Sequence, residues 1–171
     1  MEQGIQEQTI LESILARWVE MYSDPILRVC YLYLSDYALA EDALQDTWVK
    51  VWKTLSKHAR LPGNEKAWLM SIAINTCKDY SRTAWFRHVD RRTTLDELPE
   101  VILSCSQPDH SLSMTVMRLP GKYKQVILLH YYQGMTLDET CASLGLSRSC
   151  VYRRLKKAET MLKAEWLGGE A

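Results

Sequence analysis

The stretch LDETCASLGLSRSCVYRRLKKAETML, Leu137 to Leu162, contains two segments of helical apolar spacing separated by Gly-Leu-Ser. Thr136 lies just before it and is suited to N-cap the first segment, with Glu139 as its capping-box partner. Gly145 suits a left-handed turn, and Ser147 can cap the second segment. Together these signals predict a helix-turn-helix, a motif whose second helix can enter the major groove of duplex DNA.

The charge of the second segment fits that interpretation. Its inner face is predicted from Val151, Leu155, Ala158 and Leu162, and no acidic residue intervenes before Glu159. A solvated basic face on a purely structural helix hairpin is the alternative. The basic residues off the apolar stripe are Arg148, Arg153, Arg154, Lys156 and Lys157.

The formal net charge of zero hides a block pattern. Bases outnumber acids seven to three in residues 58–92 and nine to five in residues 118–171, whereas residues 93–117 contain four acids and no Lys or Arg. Blocks of this kind predict two basic surfaces joined by an acidic connection.

Composition excludes several classes of protein. The 171 residues are 47% hydrophobic, which is enough to form a core, but no apolar run approaches the roughly 20 residues needed to span a bilayer. No signal peptide is visible, so we expect a cytoplasmic protein without membrane insertion. The five cysteines and four histidines are scattered, which favours reduced, packed thiols over disulfides or zinc and predicts neither metal nor cofactor.

Apolar spacing predicts an all-α chain of two small helical domains, residues 1–92 and 112–171, joined by a flexible acidic linker at residues 93–111. The N-terminal apolar series run through Ile10, Ile14, Leu15 and Trp18, then through Ile26, Val29, Cys30, Tyr33 and Leu34. Residues 1–21 are left open between a helix packed on the first domain and a disordered lead.

The segment AEDALQDTWVKVW, residues 40–52, offers carboxylates and an amide on one helix face and aromatics on the next. An ordinary amphipathic helix with a solvated acidic start would look the same. An enzyme using Asp42 and Asp46 as a carboxylate pair would need a nucleophile or metal partner, and the sequence offers none.

The segment KAWLMSIAINTCKDYSR, residues 66–82, and the following TAWFRHVDRR interleave basic residues with aromatics. This pattern is typical of single-stranded nucleic acid binding, because cations follow the backbone while aromatic faces stack on unpaired bases. Trp68 lies among Leu69, Ile72 and Ala73 and is predicted to be in the core.

The segments 40–52 and 66–82 and the helix-turn-helix segment, in that order along the chain and at these separations, resemble the extracytoplasmic-function (ECF) sigma factors of bacterial RNA polymerase. The resemblance extends from about Tyr22 to Leu162. The resemblance implies that the chain binds core polymerase through one helix of the first domain. The residues implied are Asp42, Gln45, Asp46, Trp48, Val49 and Trp52.

The resemblance also implies two contacts with promoter DNA. Single-stranded DNA of the −10 element would meet His58, Arg60, Asn64, Asn75, Lys78, Asp79 and Arg82. Duplex DNA of the −35 element would meet the helix-turn-helix of residues 137–157 through Arg148, Ser149, Tyr152, Arg153, Arg154, Lys156 and Lys157. Tyr152 and Arg153 depart from the family pattern, so they bear on which −35 sequence is read.

Such a protein is not an enzyme, and an anti-sigma protein is a further partner that the resemblance suggests. Two other functions stay open. A helix-turn-helix regulator acting without core polymerase would explain the second domain but not Asp42, Gln45 and Asp46. A module that binds a helical protein partner would use the apolar helices, and it is compatible with the sigma-factor reading.

Overall fold

A computed structural model of the chain describes residues 2–58, 61–86 and 110–168, and the side chains of 6–57, 61–83 and 112–167. Every regular element in these ranges is helical, as the apolar spacing predicts. None of the described helices combines the length and apolarity that a bilayer crossing requires. The helices are α1 (Glu2–Leu34), α2 (Tyr37–His58), α3 (Glu65–Phe86), α4 (His110–Arg118), α5 (Gly121–Ile127), α6 (Leu137–Leu144) and α7 (Arg148–Gly168).

The two N-terminal apolar series form one helix, α1, which continues through Pro25. Its first half packs on the first domain: Trp18 is 1% exposed, its indole N–H donates to Glu65 at 2.6 Å, and its ring lies 6.1 Å from that of Trp68. Leu11, Ile14 and Leu15 also pack against the core, so the part of α1 that begins at Leu11 belongs to the domain. Ile10, the first residue of the N-terminal apolar series, lies on α1 as its spacing predicts and is 53% exposed.

Helices α1, α2 and α3 pack together as the first domain. Their buried faces carry the residues that the helical spacing predicts, including Ile26, Val51 and Leu69. Trp68 is half-buried against this core, in line with its predicted position. Cys30 and Cys77 are free, buried thiols, as predicted.

The second domain contains the predicted helix-turn-helix. Thr136 accepts from the Glu139 N–H, and the Glu139 carboxylate accepts from the Thr136 N–H, so the capping box is confirmed. Gly145 has φ +63°, and α7 begins directly after Ser147, whose hydroxyl accepts from Cys150 N–H at 3.3 Å. These local signals set the angle at which α7 leaves α6.

Helix α5 reaches the helix-turn-helix through a single wide turn, residues 128–132, in which hydrogen bonds span five residues. Gly134, at φ +61°, ends this segment as the sequence predicts. The buried apolar side chains of the first and second domains form one continuous cluster, and α6 packs on α3. The two domains are thus in contact, which the sequence does not predict.

Candidate functional site

Helix α2 presents a mixed acidic and apolar face. The side chains of Asp42, Gln45 and Asp46 are exposed on it, and Val49 is 48% exposed. Spacing of three and four residues places them on neighbouring turns of one surface. We call this surface, with the half-buried Trp48 and Trp52, the α2 acidic face.

Two side-chain hydrogen bonds join the α2 acidic face to the neighbouring helices. Trp48 donates its indole N–H to Ser23 Oγ at 3.2 Å, and Tyr80 donates its hydroxyl to Asp46 at 2.8 Å. Burial, followed by the hydrogen bond to Asp46, raises the pKa of Tyr80 to about 12. The hydrogen bond from Tyr80 orients the Asp46 carboxylate, and this bond to α3 is a contact that sequence reasoning missed.

Asp42 and Asp46 are the two carboxylates that the enzymatic alternative would have used. Within the described residues, no group of three or more His, Cys, Asp or Glu side chains could hold a metal ion. The α2 acidic face is thus suited to contact another macromolecule through exposed carboxylates flanked by apolar side chains.

Helix α3 carries the predicted −10 residues Asn75, Lys78, Asp79 and Arg82, and we call this surface the α3 basic face. These four line an open, polar cavity of about 510 Å³ together with Tyr33 and Ser81. A groove lined by cations and amides is suited to hold a nucleic acid backbone and an unstacked base.

Asp79 lies on the same face as Lys78 and Arg82 but carries the opposite charge and binds cations of its own chain. Its carboxylate pairs with Arg82, and it accepts from Lys50 Nζ at 3.3 Å, while the same Lys50 reaches Thr76 at 3.0 Å. Partial burial acts to raise the pKa of Asp79, but the hydrogen bonds from Arg82 and Lys50 outweigh it and lower the pKa. An anion held this way orients Arg82 and Lys50 and would repel phosphate, so we interpret Asp79 as a positioning residue.

Asn64 is engaged within the chain rather than free for DNA. Its side-chain oxygen accepts from Ala67 N–H at 2.9 Å, which N-caps α3, and its amide donates to Glu139 of α6 at 2.8 Å. The other two predicted residues of this loop cannot be placed, because the His58 side chain and Arg60 lie outside the described residues.

The exposed side of α7 carries the predicted −35 residues, and Tyr152 is 55% exposed there. Arg148 pairs with Asp138 at 3.1 Å, and Lys156 pairs with Glu159 at 3.1 Å and lies 5.7 Å from the centre of the Tyr152 ring. The remaining predicted residues of this recognition face are Ser149, Arg153 and Lys157, exposed, and Arg154, half-buried.

Glu159 organises the C-terminal edge of the recognition face. It accepts from the hydroxyl of Tyr131 at 2.6 Å and from Lys156. The hydrogen bond from Tyr131, and then that from Lys156, lowers the pKa of Glu159. Tyr131 and Glu159 are 28 positions apart in the sequence, so local spacing could not predict this hydrogen bond.

The α3 basic face and the recognition face approach each other. The pKa of Lys78 is lowered by its burial, then by the positive charge of Arg154 on α7, then by that of Arg82. The charge of Arg154 therefore acts on Lys78, although the two residues lie on different domains and far apart in sequence.

Comparison with known proteins assigns both halves of the chain. Residues 18–87 match the family model Sigma-70 region 2, and residues 110–162 match Sigma-70, region 4. The ECF RNA polymerase sigma factor SigE of Mycolicibacterium smegmatis is 25% identical over 152 residues, which are 85% of this chain and 58% of SigE. The factor SigL of Mycobacterium tuberculosis is 29% identical over 140 residues, 75% of each chain.

Two solved structures are similar over most of the chain. CnrH, solved in complex with the cytosolic domain of CnrY, is 25% identical with a TM-score of 0.70, covering 98% of this chain and 96% of CnrH. RpoE of Bartonella quintana, solved with the anti-sigma factor NepR, is 17% identical with a TM-score of 0.73, covering 87% and 94%. The second similarity concerns the fold alone.

Proposed function

Because the chain belongs to the extracytoplasmic-function sigma factors of bacterial RNA polymerase, we propose that it binds core polymerase and directs promoter-specific initiation at −35 and −10 elements. One observation carries the proposal. One chain carries three exposed polar surfaces, which are the α2 acidic face, the α3 basic face and the recognition face of α7. All three lie in the parts of the chain that match the two sigma-region models.

We assign core polymerase binding to the α2 acidic face. Exposed carboxylates with an adjacent half-buried Trp pair offer charge for orientation and apolar area for affinity. Asp46 is the residue that we expect to matter most, since Tyr80 holds its carboxylate in one orientation at the centre of the face.

We assign the −10 element to the α3 basic face and the −35 element to the recognition face. Asn75, Lys78 and Arg82 would hold the melted strand, with base flipping driven by binding energy that offsets a few kcal/mol of unstacking. Arg153 and Tyr152, exposed on the outer side of α7, would meet base edges, and the remaining cations would meet phosphates.

The two domains then divide the work, with residues 1–92 binding polymerase and the −10 strand, 112–171 binding the −35 duplex, and the acidic linker 93–111 between them. Initiation of this kind needs binding energy and no chemistry by the sigma factor, so we infer a non-enzymatic protein. Its partners, core polymerase and the chromosome, are in the bacterial cytoplasm, where we expect it to act.

We also propose a protein partner of the anti-sigma class, on the ground of the complexes in which CnrH and RpoE were solved. A regulator that works without polymerase has less support, because it leaves the match of residues 18–87 to Sigma-70 region 2 without a role.

The experiment that tests the function mixes the purified chain with bacterial core RNA polymerase and genomic DNA fragments, so that no promoter has to be chosen. We expect discrete transcription start sites that core polymerase alone does not produce, with shared sequences upstream of them. Retardation of duplex DNA by the free chain, without binding to core polymerase, would instead support the free-standing regulator.

A further inference from the structure

Glu159 is an acidic residue at the edge of a surface that we assign to DNA. It lies one turn of α7 after Lys156, and a carboxylate at this place repels phosphate unless groups nearby neutralise it. Both of its oxygens are occupied by groups of the chain. Oε1 accepts from the hydroxyl of Tyr131 at 2.6 Å, and Oε2 accepts from the ammonium of Lys156 at 3.1 Å.

Tyr131 reaches Glu159 from the wide turn of residues 128–132. In this turn the N–H of Gln133 donates to the carbonyl of Leu128, five residues earlier, at 3.0 Å. Such a turn contains one residue more than a turn of α-helix, and each residue of a helix rotates the chain by about 100°. The extra residue therefore sends side chains in directions that a continuous α-helix would not give. Turns of this width are frequent at functional sites.

The ring of Tyr131 is exposed and yet fixed in place. It is 56% exposed, and its centre lies 4.9 Å from that of the His130 imidazole, in an edge-to-face arrangement. His130 is itself held, because its Nδ1 donates to the carbonyl of Met135 at 2.7 Å. The hydrogen bond to Glu159, followed by burial, raises the pKa of Tyr131, so the hydroxyl keeps its proton at neutral pH and donates.

Lys156 connects Glu159 to the recognition face. Its ammonium has three N–H groups, of which Glu159 takes one, and its side chain is 57% exposed, so the other N–H groups can meet DNA. The ammonium also lies 5.7 Å from the centre of the Tyr152 ring, within the range of a cation–π contact. A chain of contacts thus runs from the wide turn through Glu159 and Lys156 to Tyr152.

We propose that Tyr131 is a positioning residue for −35 recognition: it orients Glu159, which holds Lys156 beside Tyr152 before DNA arrives. A lysine that is already held loses less rotamer freedom on binding than a free one, and its ammonium meets the bases in one place. The inference rests on the proposed function and deepens it. Part of the control over the −35 sequence then lies outside the helix-turn-helix of residues 137–157.

The test uses Tyr131→Phe, which removes the hydroxyl and keeps the ring. Tyr132→Phe is the matched control, because Tyr132 is the next residue of the same turn and its hydroxyl lies 3.4 Å from Ser113 of α4. Circular dichroism checks that both variants are folded. A first readout is the acid titration of the Glu159 carboxylate by NMR in the free chain. The hydrogen bond from Tyr131 is the main cause that lowers this pKa, so Tyr131→Phe should raise it and Tyr132→Phe should not.

The second readout is sequence preference. Core polymerase carrying each variant is offered a promoter found in the start-site experiment, with its −35 element randomised, in a competition assay. Tyr131→Phe should lower the preference at one or two −35 positions by about threefold or more, and Tyr132→Phe should keep the wild-type preference. Lys156→Met should lower it at the same positions, and adding Tyr131→Phe to Lys156→Met should change nothing further, because the effect passes through Lys156.

Four results would overturn the role of Tyr131. They are a wild-type preference in Tyr131→Phe, an equal change in Tyr132→Phe, a uniform loss of affinity over all −35 sequences, and a further change when Tyr131→Phe is added to Lys156→Met. An unchanged pKa of Glu159 in Tyr131→Phe would overturn it equally. Failure of the proposed function gives a different result, since the wild-type chain would then direct no promoter-dependent initiation, and the inference would fall with it.

Discussion

Raising the pH from 7 to 9 should strengthen the contact between the two domains. We call the state in which the domains touch, with Lys124 buried against the Tyr33 carbonyl, the closed form, and the state in which they are apart the open form. Burial lowers the pKa of Lys124 from its ordinary 10.5 to about 8, with the nearby Cys77 acting weakly in the opposite direction. When the domains separate, the ammonium returns to water and regains its ordinary pKa. The open form therefore binds the additional proton between pH 8 and 10.5, and removing protons favours closure.

The size of the effect follows from the two pKa values. The pKa of Lys124 is lower by about 2.5 in the closed form. The free energy of closure is therefore more favourable by about 3 kcal/mol when Lys124 is neutral than when it is protonated. Lys124 is only partly deprotonated between pH 7 and 9, so only part of this free energy appears in that range. The equilibrium constant between the open and the closed form should rise about tenfold. The other groups facing Lys124 do not titrate in this window: burial raises the pKa of Tyr33 to about 12, and a hydrogen bond with Cys30 together with burial raises that of Cys77.

A buried thiol at the boundary can measure this change. Ser143→Cys places a thiol that is accessible only when α6 leaves α3, so its rate of alkylation reports the open fraction, read by peptide mass spectrometry. Ala142→Cys, exposed on the same helix, supplies the intrinsic rate at each pH. Relative to it, labelling at 143 should slow about tenfold from pH 7 to 9.

Lys124→Met in the Ser143→Cys background should remove most of the pH dependence, because Lys124 is the boundary residue whose pKa burial lowers to about 8. If the variant keeps the tenfold change, another group is responsible and the reasoning about Lys124 is refuted. A wild type whose corrected rate is constant from pH 7 to 9 would refute it equally.

Three further predictions concern the surfaces and the turn. Asp46→Arg should weaken binding to core polymerase by at least about tenfold, whereas Glu20→Arg, the same change of charge at an exposed site on α1, should not; equal affinities measured by fluorescence anisotropy would remove the assignment of the α2 acidic face. Arg153→Ala should change sequence preference at one or two −35 positions by about 1–3 kcal/mol in a competition assay with a randomised element, while a uniform loss would reassign Arg153 to phosphate. Gly145→Ala should cost about 1–2 kcal/mol in urea unfolding because φ is +63°, with Gly63→Ala, a site with open space around it, close to wild type.

Local chemistry was readable from the sequence. The capping box at Thr136, the left-handed Gly145 and the cap at Ser147 each depend on residues within four positions of each other, so their spacing predicted the turn of the helix-turn-helix. Helical spacing likewise predicted the buried faces of α2 and α7.

The family and its three surfaces were also readable, since they depend on the order and separation of short motifs. The roles of individual side chains within those surfaces were not. Asp79 belongs to the −10 pattern, yet only the approach of Lys50 from α2 makes it an anchor for cations. Asn64 fits a DNA contact equally well by sequence, and the fold instead gives it α3 to cap and Glu139 to bind.

Lys124 marks the limit of sequence reasoning here. In the sequence it is one of several lysines in a basic block, and its partner carbonyl at Tyr33 is 91 positions away. Periodicity and capping describe interactions within a few turns of a helix, whereas the burial of a charge depends on which surfaces the whole chain brings together. The sequence alone determined the helices, the turn and the family, and the tertiary structure decided which cations face solvent and which ones, such as Lys124, join the two domains.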